Sequence, residues 1–88
     1  MVVIESTAKL EAVCKAALVT WYKRNYQGVN ITASDIFTVW LSKTLQNSKC
    51  ILASNINDGI LAEYTYNGND KELYEDVYKK LTNRVIAE

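Results

Sequence analysis

The sequence predicts an α+β domain of order α-β-β-β-α, in which a three-stranded antiparallel meander carries both helices packed on one face. Three observations lead there. Apolar residues recur with helical spacing from Leu10 to Trp21. Three runs rich in β-branched and aromatic residues follow within residues 36–66, separated by short polar turns. A second helical spacing then runs from Leu73 to Val85.

In the first helix, expected over about residues 6–26, Leu10, Val13, Cys14, Ala17, Leu18 and Trp21 share one face with Tyr22 beside them. Glu5, Lys9, Glu11, Lys15, Lys23 and Arg24 fill the other faces, Ser6 or Thr7 can cap the start, and Gly28 lies just past the end. In "ITASD", Thr32 and Asp35 stand three apart, the N-cap spacing of one short turn. Alternation through "DIFTVWLSKT" places Phe37, Val39 and Leu41 on one side of a strand and Ile36, Thr38, Trp40, Ser42 and Thr44 on the other. "QNS" is a short loop, "KCILAS" the second strand, "NDG" at Asn57 to Gly59 a tight turn, and "ILAEYTY" the third strand. The closing stretch offers Asn67-Gly68 as a turn, Asn69 as an N-cap and Glu72 as its capping partner. Leu73, Tyr74, Val77, Tyr78, Leu81 and Val85 would then form the apolar face of the second helix. Packing both helices on one face of the sheet leaves its other face open.

A chain of 88 residues makes one domain, 1–88, and buries only roughly 60–65% of its unfolded surface. Ten basic and ten acidic residues cancel, so no long-range field draws in nucleic acid or an anionic membrane. With no histidine, the commonest proton shuttle and metal ligand are missing. Neither a nucleophile–base pair nor a metal constellation can be assembled, so the expectation is a protein that is not an enzyme and needs no cofactor. Cys14 and Cys50 sit in apolar settings and read as buried thiols, with a helix-to-strand disulfide as the alternative. The N-terminus lacks the features of a signal peptide, and no apolar run approaches the ~20 residues of a membrane span, so a cytoplasmic protein is expected.

Lys43-Thr44 resembles the end of a phosphate loop, but "TVWLSKT" lacks the glycines that let backbone amides reach a phosphate. Lys43 reads instead as a charge that keeps a strand end soluble. Trp40 lies opposite the side expected to meet the helices, and Tyr64 and Tyr66 share one face of the third strand. A one-residue slip would reverse either face, so these aromatics are core residues or an exposed patch. As a patch, Trp40, Tyr64 and Tyr66, with Lys43, Gln46 and Asn47 as polar neighbours, suit a protein interface. The same rings could stack a base, in a small-ligand or nucleotide sponge or in a single-stranded nucleic-acid-binding domain. Acids interleave with Lys71, Lys79, Lys80 and Arg84, which argues against binding along duplex phosphates.

The element order is similar to that of double-stranded-RNA-binding domains, whose last helix opens on a basic cluster; here "NDKELYED" carries more acid than base. In wording, "ITASDIFTVWLSKTLQNSKCIL", "DGILAEYTYNG" and "KELYEDVYKK" resemble a family of small uncharacterised proteins encoded by phages and prophages of Gram-positive bacteria, over about residues 31–80. The resemblance implies a phage origin and an accessory role inside the host cell, and it brings no catalytic residues. The expected function is therefore binding of a host protein or a second copy through the open face, counteracting a host defence system being one such role by analogy. A homodimer is favoured, because the sheet leaves an apolar face and two unpaired edges.

Overall fold

Ser6 opens the first helix as its sequence position suggests: its side-chain oxygen accepts the Lys9 amide at 3.1 Å. The computed structural model describes residues 1–56 and 59–87, and in it α1 spans Thr7–Asn25. The face it turns inward is Leu10, Cys14, Leu18 and Tyr22, the i, i+4 ridge of the predicted stripe, while Val13, Ala17 and Trp21 are half-buried at its flanks. A single 3-10 turn at Ala33–Asp35 follows. It is tied by the Thr32 amide donating to Asp35 Oδ2 at 2.9 Å and by Asn55 Nδ2 donating to Asp35 Oδ1 at 3.1 Å. These bonds hold the Asp35 carboxyl below its ordinary value, the backbone bond from Thr32 being the largest cause.

Four strands then run β1 Ile36–Thr44, β2 Asn47–Ser54, β3 Ile60–Asn67 and β4 Glu72–Lys79. They pair antiparallel in the order β1-β2-β3-β4, each beside its neighbours in sequence. The expected three-stranded meander with two helices is thus corrected to four strands and one helix, and the second helix does not form. Residues 72–79 satisfy both periods, since Leu73 and Val77 are four apart and also both odd-numbered. The free edge of β3 decides between them: a strand there completes a ladder of backbone hydrogen bonds, and Tyr74, Val77 and Tyr78 are good strand formers. The loop before β4 also differs from the expected helix cap. Asn67 Oδ1 accepts the amides of Asn69 at 3.0 Å and Asp70 at 3.3 Å, and Lys71 closes the reversal at φ 54°. Of the turn expected at Asn57 to Gly59, Asn57 and Asp58 lie outside the described residues; Gly59 takes φ 75°.

The core lies between α1 and one sheet face, where Ile36, Cys50, Leu52, Ile60, Ala62, Tyr64 and Tyr66 meet the buried helix ridge. Fully burying a Leu or Ile of this kind contributes about 1.5–3 kcal/mol. The extended N-terminal segment covers the end of β3 and β4: the Val2 amide donates to the Lys71 carbonyl at 2.9 Å, and Tyr66 Oη donates to the Val2 carbonyl at 2.8 Å. The smallest dimension of the molecule, 19 Å, accommodates two layers, and no element among the described residues covers the second sheet face. No helix among the described residues is long and apolar enough to cross a membrane.

Candidate functional site

Strand β1 contains an irregularity that sets what the bare face presents. Thr38 pairs with Leu52 and Trp40 with Ile51, so Val39 is an extra residue in the ladder. Before this bulge, Ile36 and Thr38 point to the helix, and Thr38 Oγ1 donates to Glu11 Oε2 of α1 at 2.6 Å. After it, the parity changes: Leu41 turns to the helix side opposite Cys50, and Trp40 falls opposite Ile51 on the bare side. The expectation that Phe37 and Val39 join Leu41 in the core is corrected accordingly, since both are exposed.

Cross-strand rows then define the open face. Trp40, Ile51, Glu63 and Asp76 form one row; Ser42, Lys49, Thr65 and Tyr74 form the next. Leu61 stands opposite Tyr78, and Asn67 opposite Glu72. Lys49 Nζ reaches Glu63 Oε1 at 3.6 Å, a diagonal pair exposed enough to contribute little to stability. Trp40 is 48% exposed, and Phe37, Tyr74 and Tyr78 are exposed to about the same degree. At one end, a shallow cavity of about 350 Å³ is lined by Trp40, Ser42, Asn47, Lys49, Thr65 and Asn67.

The residues expected to form one patch are divided among three places. Trp40 is on the open face. Tyr64 and Tyr66 are in the core on the opposite side of the sheet, Tyr64 wholly inaccessible, with its hydroxyl donating to Glu75 Oε2 at 2.5 Å. Burial, followed by this bond to Glu75, pushes the Tyr64 phenol up from its ordinary value. Lys43, Gln46 and Asn47 gather at the β1–β2 hairpin end, where two of them knit the two hairpins together. Gln46 Nε2 donates to Asn69 Oδ1 at 2.6 Å, and Asn47 Oδ1 accepts the Gly68 amide at 3.2 Å. The aromatics that do accompany Trp40 are Phe37, Tyr74 and Tyr78. Helical periodicity concealed the two tyrosines, and the bulge concealed Phe37; a strand reading of 72–79 would have shown Tyr74 and Tyr78 on one face.

Chemistry on the helix side is muted. Cys14 and Cys50 are free thiols, both fully buried, and contact with Cys50 together with burial pushes the Cys14 thiol up and keeps it protonated. Among the described residues no group of three or more His, Cys, Asp or Glu is placed to hold a metal ion.

One helix laid across one side of a four-stranded antiparallel meander, with the other side bare and aromatic, makes this an open-faced α+β sandwich. The chain belongs to a family of unknown function (DUF6275), whose model matches residues 11–88. The match takes in most of α1 as well as the whole sheet. No curated protein and no solved structure matches the chain.

Proposed function

We propose that this chain is a binding protein without catalytic activity, and that the open sheet face is its working surface, set against another protein. The observation that carries this reading is the display of Trp40, Phe37, Tyr74 and Tyr78 on a face that no element among the described residues covers. Aromatic side chains offer large contact area with few rotamers to freeze, and the neighbouring Ser42, Thr65 and the Lys49–Glu63 pair supply a polar surround. The partner is a host protein or a second copy of the chain. The resemblance in wording to small phage and prophage proteins supports an accessory role in a host cell, of which counteracting a defence system is one form, and a cytoplasmic location.

The test is affinity capture of the tagged protein from host lysate, with and without nuclease, wild type beside Trp40→Ala. A stoichiometric protein that survives nuclease and is lost with Trp40→Ala is the expected result; the same captured set with both proteins would refute the role of the face. Capture of nucleic acid alone would move the reading to a single-stranded nucleic-acid binder.

The cavity beside Trp40 favours a second reading, a small-ligand or nucleotide sponge, since about 350 Å³ falls at the low end of ligand-site volumes and its lining joins the exposed Trp40 to several polar groups. Tryptophan fluorescence titrated with a panel of nucleotides tests it, and a flat response across the panel would dispose of it.

A further inference from the structure

The chain leaves β4 with the Lys80 amide donating to the Gly59 carbonyl at 2.8 Å, and from there residues 81–87 adopt no regular structure. Leu81 is 95% exposed, Val85 94%, and Ile86 is mostly exposed. Aliphatic side chains this bare are expected to find cover, because each leaves on the order of 100 Å² or more of apolar surface in water.

We infer that this C-terminal segment lies on the open sheet face of a second copy, reciprocally, so that the protein is a two-fold dimer. The inference rests on the open face being a protein-binding surface and names what binds there. Area is the first argument. Six exposed side chains of the face, Phe37, Val39, Trp40, Leu61, Tyr74 and Tyr78, present on the order of 600 Å². That falls short of the roughly 800 Å² per partner of a standard stable interface. Adding Leu81, Val85 and Ile86 from the other copy carries each side past it, so face and segment together make an interface that neither makes alone.

Charge is the second argument. On the open face Lys49 is matched by Glu63, which leaves Glu72 and Asp76 of β4 as an acidic margin. Residues 80–88 carry Lys80 and Arg84 against a single acidic side chain, Glu88. The cations of one copy thus have carboxylates of the other to approach, beside the aromatic rings that would take the aliphatic side chains. A two-fold arrangement satisfies both copies at once and closes, which limits further growth.

Sedimentation equilibrium over a range of concentrations, on the full chain and on a chain ending at Lys80, tests the inference. The full chain is expected to dimerise and the shortened chain to remain monomeric with an unchanged far-ultraviolet circular dichroism spectrum. A double variant of full length, Lys80→Glu with Arg84→Glu, guards against a folding defect in the shortened chain; its dimer should be at least tenfold weaker than wild type. Adding a synthetic peptide of residues 80–87 to the shortened chain should shift its tryptophan fluorescence, and Trp40→Phe should abolish that shift. A full chain that stays monomeric, a dimer that survives truncation, or a dimer lost on truncation but indifferent to Trp40→Ala would each overturn the inference. A monomer that still captures a host protein in a Trp40-dependent way would leave the open-face reading standing and refute self-docking alone.

Discussion

Replacing Trp40 and Tyr64 separately by alanine separates a surface residue from a core residue on opposite sides of the same sheet. Truncating a fully buried aromatic costs about 3–5 kcal/mol, and Tyr64 is completely inaccessible, so Tyr64→Ala should fall in that range. Trp40 is 48% exposed, so Trp40→Ala forfeits about half as much, roughly 1.5–2.5 kcal/mol. A domain of 88 residues has a total stability of about 4–13 kcal/mol. The second change is therefore tolerable, while the first removes a large share. At 4–8 °C per kcal/mol for a domain of this size, Tm should drop by about 6–20 °C for Trp40→Ala and by about 12–40 °C for Tyr64→Ala. Thermal melts followed by circular dichroism at one fixed protein concentration would measure both, with partner capture or dimerisation assayed on whichever variant remains folded. Trp40→Ala should keep the fold and lose binding. Equal destabilisation by the two, or a Tyr64→Ala protein that melts like wild type, would refute the assignment of these residues to opposite faces.

Leu45, 83% exposed at the β1–β2 turn, holds φ 56°, a left-handed conformation that costs a non-glycine residue about 1–2 kcal/mol. Leu45→Gly relieves this but makes the unfolded chain more flexible, so a net gain of about 0.5–1 kcal/mol and a Tm rise of roughly 4 °C are expected in a melt. Gly68→Ala should do the opposite, because a Cβ there would stand 2.1 Å from the Gln46 carbonyl oxygen. The two hairpin ends would be forced apart, and urea titration should show a loss of about 1–3 kcal/mol. For pH, the folded state holds the Tyr64 proton more tightly than the unfolded state, whose tyrosine titrates at the ordinary 10.0. The associated stability is present below that pH and is lost as pH rises beyond it. Phenolate absorbance should therefore show one tyrosine ionising only as the circular dichroism signal collapses; complete ionisation ahead of unfolding would contradict this.

What could be read from the residues alone was whatever depends on near neighbours. The Leu10–Leu18 ridge, the Ser6 cap, the "ITASD" turn and the three strands through residue 66 are local patterns, and they hold with boundaries shifted by a few residues. Two features depend on distant partners and were not legible. Residues 72–79 carry a spacing compatible with either a helix or a strand, and the unpaired edge of β3, a tertiary fact, selects the strand. The extra residue at Val39 reverses parity midway along β1, so alternation placed Trp40 and Leu41 on their proper sides but misplaced Ile36, Phe37 and Thr38. Of the candidate site, Trp40 stands on the open face as alternation placed it, but its ring neighbours there are Phe37, Tyr74 and Tyr78 instead of Tyr64 and Tyr66, and only Asn47 of the expected polar residues lines a cavity with it. Tyr64 and Tyr66 lie on the helix side because they alternate with Glu63 and Thr65, which β2 holds on the bare side opposite Ile51 and Lys49.

The sequential strand order bears on how this chain comes to be folded at all. Each strand's partner is the strand made just before it, so the β1–β2 hairpin can close over a two-residue turn before β3 has been synthesised, and every later strand adds to an edge already formed. Ordering by near neighbours keeps loop closures short and folding fast for a sheet protein. At each stage, however, the growing sheet exposes a fresh ladder of unpaired backbone groups, and until residues 72–79 emerge that edge is β3, with Leu61 beside it. The time between synthesis of β3 and β4 is thus the interval in which the nascent chain is most open to pairing with the wrong strand.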